Sequence, residues 1–283
     1  QAVARISAID PGDLVGIAWA FAKIAVLDEP LLESISKAAL ATLEQFQSQQ
    51  LAGMAWAFAK VMVVDQPLLD AIAAAAEARI SELSALSLSR TAWAFATVLL
   101  EADTLLEAIA AESLPKMDAF TSQNKSLTAW SFARLAMCDE PLLAAISSAS
   151  IAKLHTFKSQ EMANTVWAFA KLFVHDEPLR QAIAEQAIST LRDWSAQSLA
   201  ATASAMAKLA FLHAPLWDAI SSEAIRTISS MQSQSFSTMF WAFAKLVVED
   251  VPLLDAISAA ALSKSNEMDP QSLSNPAWSV ARL

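Results

Sequence analysis

Apolar and polar positions follow one another along this chain with a helical beat that repeats every 37 residues. The beat is clearest at Ala-Trp-Ala-Phe-Ala-Lys, residues 55–60, whose tryptophan returns as Trp19, Trp56, Trp93, Trp130, Trp167, Trp241 and Trp278, with Ser204 in the sixth slot. A period between about 20 and 50 residues marks a stacked array rather than independent domains. Each repeat opens on a polar stretch such as Ser48-Gln49-Gln50 or Ser159-Gln160-Glu161. It then runs through the Trp slot to about six residues beyond, the pattern of a helix of three to four turns. Asp-x-Pro follows, as at Asp28/Pro30, Asp65/Pro67, Asp139/Pro141, Asp176/Pro178 and Asp250/Pro252. Proline fits only the first turn of a helix and an acidic neighbour suits a helix N-terminus, so a second helix starts there. Its apolar face begins with pairs such as Leu31/Ile35, Leu68/Ile72 and Leu142/Ile146.

One such hairpin cannot bury its apolar face alone. The pattern therefore predicts an all-α protein, an α-solenoid of stacked hairpins in a right-handed superhelix, with seven 37-residue repeats and part of an eighth. The first helices are expected near residues 13–26, 50–63, 87–100, 124–137, 161–174, 198–211, 235–248 and 272–283. Residues 1–283 are expected to form a single array, and a start at Gln1 with a stop inside the eighth repeat reads as a piece of a longer one.

On a wheel of about 100° per residue, the first helix of the fifth repeat turns Met162, Thr165, Val166, Phe169 and Phe173 toward its partner helix. Trp167, with Ala163 and Ala170, is assigned to the side that meets the next hairpin, so the tryptophans are expected to be packing residues. In the sixth repeat, Trp194 and Trp217 are expected to refill the volume vacated at Ser204. Truncating a packed Trp otherwise costs about 3–5 kcal/mol. A strip remains that carries Gln160, Asn164 and Lys171, with Glu161 at its edge.

Read down the repeats, that strip has a fixed frame around a changing residue. Four residues after the Trp slot stand Lys23, Lys60, Arg134, Lys171, Lys208, Lys245 and Arg282, with Thr97 as the break. Seven before it stand Gln49, Gln123, Gln160, Gln197, Gln234 and Gln271. Three before it the residue varies: Gly16, Gly53, Arg90, Leu127, Asn164, Ala201, Thr238 and Asn275. A repeated cation holds a phosphate without reading sequence, whereas a variable side chain at a fixed place faces a base edge. Helical repeats that read RNA one base per hairpin use this arrangement. The expected partner is thus single-stranded RNA, with the cations on phosphates, the variable position on bases and the glutamines in support. Two plainer roles compete. A cation at the end of a helix stabilises its dipole and can pair with the Asp of Asp-x-Pro, and a solvated position drifts freely.

Composition narrows the function classes. The formal net charge of −10 excludes a surface that is basic throughout, though not a narrow cationic track. Lys, Asp and Glu interrupt every apolar run before it reaches the roughly 18 residues of a membrane span, so no membrane association is expected. Cys138 stands alone, which rules out an intrachain disulfide, suits a reducing intracellular compartment, and reads as a small buried apolar residue. His155, His175 and His213 occupy unrelated slots, and there is no Gly-rich phosphate loop. No catalytic residues, metal or cofactor are expected, and a protein-interaction scaffold is the alternative function.

Asn-Thr-Val-Trp-Ala-Phe-Ala-Lys-Leu at 164–172, with its copies along the chain, resembles the octotricopeptide and heptatricopeptide repeat proteins. Their units are helical pairs of similar length with a Trp-Ala-(Leu/Phe)-Ala-Lys-like first helix. The resemblance implies RNA binding in chloroplasts or mitochondria for transcript stabilisation, processing or translation, in some members with a RAP domain after the array.

Overall fold

The computed structural model describes residues 9–264 except residue 249. Arg282, Gln271, Asn275 and Trp278 therefore lie outside the described residues, as does the eighth first helix. The described chain is an all-α helical-repeat solenoid. Its helices come as hairpins: α1 (Pro11–Lys23) with α2 (Glu29–Thr42), α3 (Ser48–Lys60) with α4 (Gln66–Ala78), α5 (Ala85–Val98) with α6 (Asp103–Ser113), and α7 (Ser122–Arg134) with α8 (Glu140–Ile151). They continue as α9 (Ser159–Lys171) with α10 (Glu177–Thr190), α11 (Ala196–Lys208) with α12 (Ala214–Thr227), and α13 (Ser233–Leu246) with α14 (Val251–Lys264). Two compact units divide after Ile146, within α8.

In the first unit α1, α3, α5 and α7 lie side by side as one layer, and α2, α4 and α6 form a looser second layer. The second unit repeats this with α9, α11 and α13 against α10, α12 and α14. Small residues let the first layer close up. Ala55, Ala57, Ala59, Ala92, Ala94 and Ala96 are fully buried. A Cβ on Gly53 would come within 2.9 Å of Val15 Cγ1, so α1 and α3 approach closely there. Between the layers lie Phe58, Phe95, Phe132, Phe169 and Phe243, two residues past each Trp slot, with Ile35, Ile72, Ile109, Ile146 and Ile183 from the second helices.

The helix ends explain where the elements start and stop. The first helices begin two residues earlier than expected and end two or three residues earlier. At the start, side chains just before and inside the first turn satisfy free amides: Gln50 Oε1 accepts from Gln47 N (2.7 Å), Glu161 Oε2 from Lys158 N (2.9 Å), and Thr121 Oγ1 from Asn124 N (3.2 Å). At the end, Ala25, Met62, Leu99, Ala136, Phe173, Ala210 and Val247 adopt left-handed backbone, each 37 residues after the last. The next amide then turns back onto the helix, as Val63 N does to Phe58 O at 3.0 Å. None of these seven corners is a glycine, so the sequence carries no visible stop signal.

The Asp of Asp-x-Pro caps the second helix. Asp28, Asp65, Asp139, Asp176 and Asp250 accept from the amide three residues on at 2.8–3.1 Å. In the sixth repeat His213 Nδ1 replaces them, accepting from Leu216 N at 3.2 Å.

Two side-chain expectations are corrected. Cys138 is exposed rather than buried, because it sits in the connection before α8. Trp194 and Trp217 do not refill the Ser204 slot. Trp194 follows the turn after α10 and donates Nε1 to Thr190 Oγ1 at 3.0 Å. Trp217 lies in α12, donates Nε1 to Phe211 O at 3.1 Å, and packs edge-on against Phe243 at 4.9 Å.

Candidate nucleic-acid interface

Positions seven before, three before, at and four after the Trp slot are spaced 4, 3 and 4 residues, so they share one face of each first helix. The structure bears this out: the tryptophans meet neighbouring hairpins as expected, but on this solvent-facing strip rather than on a separate buried side. Trp19 is 41% exposed, and Trp56, Trp93, Trp130, Trp167 and Trp241 are half-buried on the same face as the glutamines and cations. In the first unit Trp19, Trp56 and Trp93 lie tilted against one another. Ring centroids lie 6.2 Å apart for Trp19–Trp56 and 6.1 Å for Trp56–Trp93, with planes inclined at 33° and 31°. Sequence reasoning missed this ladder, although phase could have found it: at about 100° per residue the Trp falls about 20° from the glutamine seven positions earlier.

The cations stand over these rings. Lys23 Nζ lies 5.4 Å from the centre of Trp19, the Arg134 guanidinium 5.3 Å from Trp130, and Lys245 Nζ 6.0 Å from Trp241, each four residues after its ring. Lys60, Lys171 and Lys208 are exposed at the equivalent place. The proposed pairing with Asp-x-Pro does not occur, because those carboxylates are spent on helix caps. Among the described residues none of the six ladder cations is in an ion pair. Arg134 is anchored otherwise, with Nε donating to Ala96 O at 2.8 Å beside Thr97, the break in the series. Lys208 has its pKa held below the ordinary 10.5, first by partial desolvation and then by the positive charge of Lys171. Basic residues elsewhere serve as ties: Arg79 Nη1 donates to Phe46 O at 2.7 Å, and Lys116 Nζ to Ser81 O and Leu83 O, both at 2.7 Å.

The remaining strip positions divide. Gln49, Gln123, Gln160, Gln197 and Gln234 are exposed. Arg90, Leu127, Asn164, Ala201 and Thr238 are half-buried between the glutamines and the rings. Gly53 is a correction: it is buried against Val15 and offers no side chain to a base, so at this repeat the variable slot serves packing. Gly16, its counterpart in α1, has open space around it.

Of two cavities, one opens on the site. A groove of about 570 Å³ runs between α2 and α4, lined by Leu32, Leu40, Val63 and Pro67 with Glu29 and Glu33, away from the ladder and too acidic for phosphate. A smaller one of about 270 Å³ opens on the strip itself at Ser204, beside Trp167. Chemically, the face pairs aromatic surface with unneutralised positive charge, the combination that holds single-stranded nucleic acid.

No helix among the described residues is long and apolar enough to cross a membrane. No curated protein matches the chain in sequence. The family model that does match is described as RNA-editing substrate-binding complex 6 protein; it covers residues 1–251, and the chain belongs to that family.

Proposed function

We propose that the protein is a binding module for single-stranded RNA, held along the first-helix face with roughly one base per repeat, in organellar RNA processing, stability or translation. The observation that carries the reading is the ladder of half-exposed indoles beneath cations that no carboxylate neutralises. Exposed cations kept clear of carboxylates make a locally positive track on an acidic protein, and a flexible strand brings phosphates and rings to it together. In this reading Lys23, Lys60, Arg134, Lys171, Lys208 and Lys245 hold phosphates. Arg90, Leu127, Asn164, Ala201 and Thr238 meet bases, and the module is neither an enzyme nor dependent on a cofactor.

The family's description, an RNA-editing substrate-binding complex, supports RNA as ligand and other proteins as neighbours. The resemblance to octotricopeptide repeats supports a mitochondrial or chloroplast setting. A scaffold role is favoured by a separate observation. The corners between first and second helices expose Ile24 (68%), Met62 (63%), Phe173 (76%) and Leu212 (64%), apolar surface suited to a protein partner.

The test is binding of single-stranded RNA across a salt series, with Lys60, Lys171 and Lys245 all changed to Glu. Affinity should fall steeply with salt, by about 0.7 counterions per phosphate contact, and the triple variant should bind weakly with a shallower slope. Equal binding by parent and variant would sink the reading. Partners retained in pull-downs after nuclease treatment would favour the scaffold.

A further inference from the structure

The first three rungs of the indole ladder leave no room for a base between them. A base sandwiched between two rings needs their planes about 7 Å apart, twice the roughly 3.5 Å of a stacking contact. Trp19, Trp56 and Trp93 are already 6.1–6.2 Å apart and inclined. Bases can meet their edges there but cannot enter the stack.

The sixth repeat differs. Ser204 removes one rung, Trp194 and Trp217 are engaged elsewhere, and the vacated place is a cavity of about 270 Å³ opening on the strip. That volume lies just under the roughly 300–1,000 Å³ of drug-sized ligand pockets, which suits one ring system. Trp167 forms one wall. Beside Ala200 and Ala201 the lining is polar, with Gln197, Ser204, Gln232, Gln234, Ser235 and Thr238. Among the described residues none of these six side chains is hydrogen-bonded within the protein, and Ser204 is only 8% exposed. The buried Ser204 hydroxyl, the half-buried Ser235 and Thr238 hydroxyls and the exposed glutamine amides offer donors and acceptors at one opening, as a ring with polar edges requires. Lys208 follows Ser204 by one turn and Lys171 follows Trp167 by one turn, and neither is in an ion pair.

We propose that this slot binds a single purine base of the RNA, inserted where the other repeats carry an indole, stacked on Trp167 and read by Gln197, Gln234, Ser204 and Thr238. The choice of purine follows from shape: indole and purine are both fused six- and five-membered rings, so a purine refills the missing rung and a pyrimidine leaves part of it empty. The inference rests on the RNA-binding reading above and adds one specific position to it.

The experiment compares oligo(A), oligo(U) and oligo(A) carrying one 2-aminopurine, with parent, Ser204→Trp and a Gln197→Ala/Gln234→Ala double variant. Ser204→Trp restores the residue of every other repeat, and circular dichroism checks its fold. The double variant changes only exposed side chains and serves if Ser204→Trp does not fold. The parent should prefer oligo(A) and quench the 2-aminopurine. Ser204→Trp should lose roughly tenfold in oligo(A) affinity, the scale of one stacked base, with oligo(U) unchanged and the quenching gone. The double variant should lose the preference. If the parent binds both oligomers alike, or Ser204→Trp keeps the preference and the quenching, the slot is overturned while the RNA reading stands. If the parent binds neither oligomer, both fall together.

Discussion

Trp56 and Trp93 lie 6.1 Å apart from ring centre to ring centre, 37 residues apart in sequence and at the same place on adjacent helices. Each indole gives part of its surface to its neighbour and part to solvent, so the ladder both ties hairpins together and forms their outer face. Trp56→Ala should cost about 1–3 kcal/mol, the worth of two aromatic contacts at about 0.5–1.5 each. Phe58→Ala, two residues on and fully buried, should cost about 3–5 kcal/mol. Denaturant unfolding of the two variants checks the order. A larger loss at Trp56 would return the tryptophans to the core.

That contrast also shows how far the sequence could be read. Period, hairpins, Asp caps and the cation series follow from spacing, because a helix turns by a fixed angle and proline tolerates few places. The tryptophans do meet neighbouring hairpins, but the alanines beside them suggest a buried side, whereas the indoles share the solvent strip. Trp167 shares the arc of Gln160 and Lys171, while Phe169, two residues on, is the ring that enters the core. The left-handed corners could not be read at all, since leucine, methionine, phenylalanine, valine and alanine there give no local sign of positive φ.

Those corners yield the second prediction. Phe173 has φ 56° and is 76% exposed, so its ring contributes little burial while its backbone is strained. Left-handed backbone costs a residue with a side chain about 1–2 kcal/mol, and the extra freedom of unfolded glycine returns about 0.4–1 kcal/mol of that. Phe173→Gly should therefore stabilise the protein by about 0.5–1 kcal/mol, seen as a rise in Tm. If this corner docks a protein partner, the same variant weakens that contact without changing RNA affinity.

Gly16 and Gly53 occupy the same slot of successive first helices but differ in surroundings. Alanine is worth about 1 kcal/mol over glycine inside a helix. At Gly16 nothing lies within 4 Å of an added Cβ, so Gly16→Ala should gain most of that. At Gly53 the added Cβ meets Val15 Cγ1 at 2.9 Å, and valine has few rotamers with which to withdraw. Gly53→Ala should gain nothing or destabilise. Equal gains in thermal unfolding at both positions would mean that α1 and α3 are not held together at this glycine.

Lys208 links the charge ladder to pH. Its pKa is lower in the folded protein than the ordinary 10.5, so between the two values the unfolded chain binds more protons. Stability from this group therefore rises with pH across that window, and below it the charged side chain is a standing cost. Lys208→Met should be more stable than the parent at neutral pH, and the difference should shrink as pH climbs toward 10.5. A phosphate at this place offsets both causes of the shift, the desolvation and the neighbouring Lys171, and draws the pKa back up. RNA binding above the depressed pKa should then take up a proton, measurable as a dependence of binding heat on the ionisation enthalpy of the buffer. Lys208→Met should abolish that uptake together with one phosphate's share of the salt slope. Proton uptake that is unchanged in Lys208→Met would place the phosphate track somewhere other than over the indoles.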